Sequence, residues 1–138
     1  MTSVTQDRSS LQLGRPALIV LWVVQVALAA MFLMAGGSKL AGAPAMVSLF
    51  DVIGVGQWFR YVTGIIEVVA AIALLVPSAA AFGALLLMPT MAGAIIVSVF
   101  IAHISPVVPF LLLVAAAAVV WARRRQLRIL AFSGAAAY

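Results

Sequence analysis

Residues 60–76 read RYVTGIIEVVAAIALLV, an apolar run long enough to form a membrane-embedded helix, and they contain a single carboxylate, Glu67. Glu67 lies about two helical turns beyond Arg60 and about one turn beyond Gly64. An ionisable side chain inside a bilayer costs roughly 3 kcal/mol or more unless it is paired, protonated or facing water. The run therefore predicts a spanning helix in which Glu67 needs either a partner or a function.

The composition of the whole chain places it in a membrane. Of 138 residues, 67% are hydrophobic and 8% are charged, far from the average of soluble domains. There is no cysteine, so the protein cannot itself carry out thiol chemistry or hold an iron–sulfur cluster or a cysteine-ligated zinc. The formal net charge is +5, but the basic residues flank apolar runs and act there as topology signals. We therefore exclude nucleic acid as a partner.

Three further apolar runs accompany the first. We predict an all-α fold, an integral membrane four-helix bundle with spans at about 16–37, 60–76, 79–102 and 106–122. A short interfacial helix is predicted at 43–53, between spans one and two, because Pro44 suits a first helical turn and apolar residues follow at helical spacing. A signal peptide is the competing interpretation of the first run, but the run is too long for a typical signal core.

The arginines indicate the orientation of the bundle. Arg8, Arg15 and the cluster at 123–128 lie on one side of the predicted spans, and only Lys39 and Arg60 lie on the other. Positively charged flanks mark the cytoplasmic side. We therefore expect residues 1–15 to be a frayed cytoplasmic tail and residues 123–138 a basic cytoplasmic tail. The expected location is a bacterial inner (plasma) membrane.

Polar residues fall on one stripe of each of the first two spans. On a helical projection, each stripe occupies an arc of about 60°. The stripes consist of Gln25, Phe32, Gly36 and Lys39 in span one and of Arg60, Gly64, Glu67 and Ala71 in span two. Lys39, Arg60 and Glu67, with Asp51 and His103, are expected to converge in the outer half of the membrane. Gly36 and Gly64 would either let the helices approach closely or leave room beside the carboxylate.

Each of these residues also has a simpler interpretation. Glu67 could be a structural ion pair or a protonated carboxyl bonded to a neighbouring helix. Lys39 and Arg60 at helix ends commonly extend to the headgroups, and His103 could be a polar end-marker. The carboxylates and His103 do not form a convincing ligand set, so we predict no metal and no intrinsic cofactor.

The motifs as a group resemble a known family. The pattern Phe32-x3-Gly36-x2-Lys39-Leu40, then Gly64-x2-Glu67-Val68, then Gly83 and the segment 91–103, resembles the DoxX-like family of four-span membrane proteins over about residues 21–123. The resemblance implies a four-helix membrane bundle. It also implies relatives linked to thiosulfate–quinone oxidoreduction and membrane oxidoreductase assemblies, and animal relatives that act as assembly factors for membrane receptors. Function varies within such a family, so the fold alone does not select one.

Two hypotheses follow for the polar cluster. The first is an accessory subunit of a membrane oxidoreductase system that binds a quinone or another lipid-like molecule. Its pocket would be formed by Gly36, Lys39, Arg60, Gly64, Glu67 and His103, with Asp51 nearby. The second is a non-enzymatic assembly factor or structural subunit that docks other membrane proteins, with Glu67 as a structural tie. A transporter or channel is disfavoured, because a polar cluster confined to one half gives no path through the membrane. No autonomous catalytic motif occurs in the sequence.

Overall fold

Helices follow the apolar runs of the sequence closely. The computed structural model describes residues 14–125 and 127–128. In this part of the chain it contains the helices α1 (Arg15–Ala41), α2 (Pro44–Ile53), α3 (Gln57–Leu75), α4 (Ala80–Phe100) and α5 (Val107–Ala122). Among the described residues there is no strand. The predicted all-α bundle is confirmed, and α2 is the short helix expected between the first two spans.

The first helix extends beyond the predicted end at residue 37. Gly36 and Gly37 do not stop it, and α1 continues to Ala41. The stop is Gly42, whose φ of 72° and ψ of 39° place it in the left-handed conformation that ends many helices. Lys39 therefore lies in the last turn of α1, within the helix, as its place in the stripe of span one predicts.

The remaining boundaries differ from the prediction by a few residues. The largest of these differences is at the start of α3, which begins at Gln57, three residues before the predicted start at 60, after Gly56 with a φ of 114°. By length and composition, α1, α3 and α4 are each long and apolar enough to cross a membrane. α5 is equally apolar but has 16 residues. It packs against α4 and α1 and completes the four-helix bundle.

The core of the bundle is centred on α3. α3 packs against α1 on one side and α4 on the other, and α5 closes the bundle against α4 and α1. Phe32, Leu74, Leu87 and Val119, one from each long helix, are among the most completely buried side chains. The shared core fixes the relative positions of the four helices and therefore of the side chains near their ends.

The outer surface of the bundle is apolar. Met34 is 71% exposed, Phe100 72% and Trp121 67%. Large apolar side chains left uncovered all round a helical bundle are unfavourable in water and favourable in hydrocarbon. The protein is a small membrane protein whose outer faces contact lipid.

The two tails predicted to be cytoplasmic lie mostly outside the described residues, which begin at residue 14 and end at residue 128. The side of the membrane on which the termini lie stays a prediction.

Candidate functional site

The carboxylate of Glu67 is paired with the ammonium of Lys39 across the contact between α1 and α3. Lys39 Nζ lies 2.9 Å from Glu67 Oε2 and 3.1 Å from Oε1. The Glu67 side chain is 3% exposed and the Lys39 side chain 14%. Removing one partner of so buried a pair would leave an uncompensated charge, which is strongly unfavourable. These two distances identify Lys39, and not Arg60, as the cation that pairs with Glu67.

Two glycines allow the helices that carry this pair to approach closely. A Cβ at Gly36 would lie 2.9 Å from the carbonyl oxygen of Gly64, and a Cβ at Gly64 would lie 3.1 Å from Lys39 Cβ. Both distances are shorter than normal van der Waals contacts, so a larger residue would push α1 and α3 apart. Of the two roles predicted for these glycines, close helix approach is the one that the structure shows.

Arg60 is buried at 4% exposure, but it bonds to polar groups other than Glu67. Its Nη1 donates to the carbonyl oxygen of Lys39, its Nε donates to Gln57 Oε1 at 2.7 Å, and its guanidinium lies 4.3 Å from the ring centre of Tyr61. The last carbonyls of a helix have no partner within the helix. Arg60 therefore caps the end of α1 beside Lys39, a role that its position near a helix end does not reveal in the sequence.

Asp51 joins the same network through Gln57. Gln57 Nε2 donates to Asp51 Oδ1 at 2.7 Å and to the carbonyl oxygen of Val47 at 3.0 Å. This chain of hydrogen bonds attaches α2 to the start of α3. The network thus contains two cations and two carboxylates, with Asp51 at its exposed end.

His103 is the fifth ionisable residue expected in this cluster. It is exposed, it has a φ of 52°, and it lies in the loop between α4 and α5. Among the described residues, none makes a side-chain hydrogen bond to His103 that would link it to Lys39, Arg60 or Glu67. His103 follows the end of α4, at the same end of the bundle as Lys39 and Arg60, and its membership of the cluster stays a prediction.

A cavity of about 730 Å³ lies beside the ion pair. All of the helices contribute to its wall, which is almost wholly apolar apart from Lys39, Glu67 and a few hydroxyl groups. The apolar wall is formed chiefly by Phe32, Met46, Phe50, Phe59, Leu86, Met91, Val97 and Leu112. An apolar cavity with a few polar groups at defined positions is the usual form of a small-molecule site.

The wall of this cavity differs from the predicted pocket. Lys39 and Glu67 border it, whereas the other predicted residues do not. Gly36 and Gly64 are enclosed in the helix contact, and Arg60 is occupied in capping α1. The sequence missed the contribution of α4 and α5, because nothing in their uniform apolar runs indicates which face borders a cavity.

A second polar network, which was not predicted from the sequence, includes Gln25 in the first half of α1. Gln25 is fully buried, donates from Nε2 to the carbonyl oxygen of Leu74 at 2.9 Å, and accepts from Arg123 Nε at 2.6 Å. Burial lowers the pKa of Arg123, but arginine stays charged in proteins. Arg123 Nη2 is buried without a hydrogen-bond partner among the described residues. In the sequence, Gln25 interrupts an apolar run, and this interruption was the available sign of a buried polar contact. Arg123 gave no such sign, because it stands among the arginines that indicate membrane orientation.

No group of three or more histidine, cysteine or acidic side chains among residues 14–125 and 127–128 is arranged to hold a metal ion.

Comparison with known proteins identifies a family. The model of the DoxX-like family matches residues 23–123, which include most of α1, all of α2 to α5, the Lys39–Glu67 pair and the residues of the cavity wall. No curated protein and no solved structure matches the chain.

Proposed function

The chain belongs to the DoxX-like family, and from this premise we propose that it is an accessory protein of a membrane oxidoreductase system that binds a quinone or a similar lipid-like molecule beside Lys39 and Glu67. The observation that carries the proposal is the position of this ion pair at the wall of a cavity of about 730 Å³. A tie between two helices needs no cavity beside it. An amphiphilic ligand needs both a polar contact and an apolar space.

The chemistry of the pair supports a polar head as its ligand. An ammonium carries three donor hydrogens, and a carboxylate offers about four lone-pair positions. Lys39 Nζ uses two contacts on Glu67, one to each oxygen. A third donor on Lys39 and further acceptor positions on Glu67 thus stay available to a hydroxyl or carbonyl oxygen. In a medium of low dielectric constant, such a bond to a charged group is stronger than one to a neutral group.

The remainder of the wall supports an apolar body. Its side chains, such as Met91 and Leu112, offer no hydrogen bonds to a ligand, and they would cover a ring or tail. The quinone in this proposal comes from the relatives that the resemblance implies, and the cavity volume of about 730 Å³ lies in the usual range of small-molecule sites. The arginines at 123–128 favour cytoplasmic termini in a bacterial inner membrane.

The test is native mass spectrometry of the protein released from membranes in mild detergent, comparing the wild type with Glu67→Gln. We expect a stoichiometric lipophilic adduct in the wild type and its loss in Glu67→Gln. Asp51→Asn is the matched control, because Asp51 belongs to the same hydrogen-bond network but does not border the cavity. This control should keep the adduct.

Other outcomes would refute the proposal. If Glu67→Gln retains the adduct as well as the wild type does, the pair is not part of the ligand site. If the wild type carries no adduct and travels with other membrane subunits, while Glu67→Gln lowers the yield of folded protein, the pair is a structural tie within a docking protein.

A further inference from the structure

Ser98 differs from the other hydroxyl residues that border the cavity. The residue is 6% exposed and lies on α4, near the end of that helix. The hydroxyls of the other three bond to carbonyls of their own helices: Ser38 to Met34, Thr63 to Phe59 and Arg60, and Thr90 to Leu86. Among the described residues, the Ser98 hydroxyl alone on this wall has no such bond. It is a free donor and acceptor at the edge of an apolar space.

This arrangement is unusual for a serine in a helix. A helical serine commonly satisfies its hydroxyl on the carbonyl one turn earlier, which here is that of Ala94. The Ser98 hydroxyl is not fully enclosed by protein, since the described residues contain only Arg123 Nη2 as a fully buried polar side-chain atom without a partner. It is accessible from the cavity and can bond to a molecule that enters it. The carbonyl of Ser98 is already used, since it accepts from the Ile104 amide at 2.9 Å.

Ser98 and the ion pair lie at the same end of the bundle but on different walls. Lys39 is in the last turn of α1, and Ser98 is close to the end of α4. α3 connects α2 to α4 and runs opposite to both α1 and α4, so the ends of α1 and α4 lie at one end of the bundle. α1 and α3 provide the pair, whereas α4 provides Ser98. A ligand head between them would meet polar groups on two sides.

We propose that Ser98 is the second polar anchor of the cavity, so that the ligand is an amphiphile with oxygen atoms on two sides of its head. One oxygen bonds to Lys39 or Glu67 and the other to Ser98. A benzoquinone or its hydroquinone has this pattern, whereas a lipid with a single hydroxyl does not. This inference rests on the proposed function and narrows its ligand class.

The experiment uses two probes added to delipidated full-length protein and quantified by native mass spectrometry. The first is a hydroquinone with one isoprene tail, kept reduced, and the second is the matched phenol that lacks one of the two hydroxyls. We expect the wild type to prefer the hydroquinone by about three- to tenfold in Kd, the change that one neutral hydrogen bond gives. In Ser98→Ala, this preference should disappear. Thr90→Val is the matched control, because its hydroxyl borders the cavity but is used within α4, and it should keep the preference.

The outcomes distinguish a failure of the Ser98 anchor from a failure of the proposed function. A wild type that binds neither probe overturns both. A wild type that binds both probes, together with a Ser98→Ala variant that keeps an undiminished preference for the hydroquinone, overturns the role of Ser98 and leaves the cavity as the ligand site. Size-exclusion profiles of the variants identify any loss of folding; a misfolded Ser98→Ala would be replaced by Ser98→Cys, for which the same loss of preference is expected.

Discussion

Gly36 and Gly37 are neighbours in α1, and alanine at the two positions should have opposite effects. A Cβ at Gly36 would lie 2.8 Å from Val68 Cγ2 and 2.9 Å from the carbonyl oxygen of Gly64. The valine methyl can rotate away, but the Gly64 carbonyl belongs to the backbone of α3. A Cβ at Gly37 would meet nothing within 4 Å. Gly36→Ala must therefore separate the helices, whereas Gly37→Ala fills open space.

The magnitude follows from comparing the two variants directly. Each gains the helix propensity of alanine over glycine, up to ~1 kcal/mol, so the gain cancels in the difference between them. What is left is the overpacking at Gly36, which costs about 1–3 kcal/mol in a well-packed core. We expect Gly36→Ala to be less stable than Gly37→Ala by that amount, and Gly37→Ala to be as stable as the wild type or slightly more stable.

The assay is reversible unfolding in mixed micelles of increasing sodium dodecyl sulfate, followed by circular dichroism and tryptophan fluorescence. The free energies of unfolding of the two variants are compared at the same detergent composition. Equal values for Gly36→Ala and Gly37→Ala would refute the close contact of α1 with α3. Because Lys39 and Glu67 sit on these two helices, Gly36→Ala should also weaken retention of the lipophilic adduct, and Gly37→Ala should not.

Two further variants test other contacts of the bundle by the same unfolding assay. Gly83→Ala should lower the free energy of unfolding by about 2 kcal/mol or more, because a Cβ there would lie 2.6 Å from the Ala70 carbonyl oxygen. Gly93→Ala is its control, since a Cβ at Gly93 meets nothing within 4 Å, and equal stabilities of the two variants would contradict the close crossing of α3 and α4. Gln25→Leu should lower the free energy of unfolding by about 2–4 kcal/mol, because it leaves the Leu74 carbonyl and Arg123 without their bonds. Gln25→Glu keeps an acceptor for Arg123 and should lose less stability. A Gln25→Leu variant as stable as the wild type would refute the buried network.

The sequence was sufficient for the helices, because each apolar run is bounded by residues with strong local preferences. Pro44 begins α2, Gly42 ends α1, and the turn at residues 77–78 separates α3 from α4. The helix α1 continues past residue 37, where the first span was predicted to end, for a local reason. Glycine lowers helix propensity, but in a packed helix the tertiary contact of Gly36 outweighs that cost, so the glycine pair did not mark the end.

The site was only partly predictable, because helical spacing shows which residues share a face but does not show which atoms meet. The stripes of α1 and α3 were confirmed as their buried faces, with Gly36, Gly64 and Glu67 all buried. The choice of Lys39 over Arg60 as the partner of Glu67 depends on the approach of two helices, which no spacing rule contains. Ser98 could not be recognised either, since its significance lies in a bond that it does not make within the chain.

The two buried polar networks of the bundle each leave a donor unused, Arg123 Nη2 in one and the third hydrogen of the Lys39 ammonium in the other, but of the two it is the Lys39 network that borders the cavity. At one end, Gln25 uses both ends of its amide, joining α1 to α3 through Leu74 and to the end of α5 through Arg123, with only an apolar groove nearby. That network fixes helix positions. At the other end, Lys39, Glu67 and Ser98 keep hydrogen-bonding capacity and border a cavity of about 730 Å³. A tie between helices needs no such space beside it, so the cavity is the observation that supports the proposal that Lys39 and Glu67 hold a ligand.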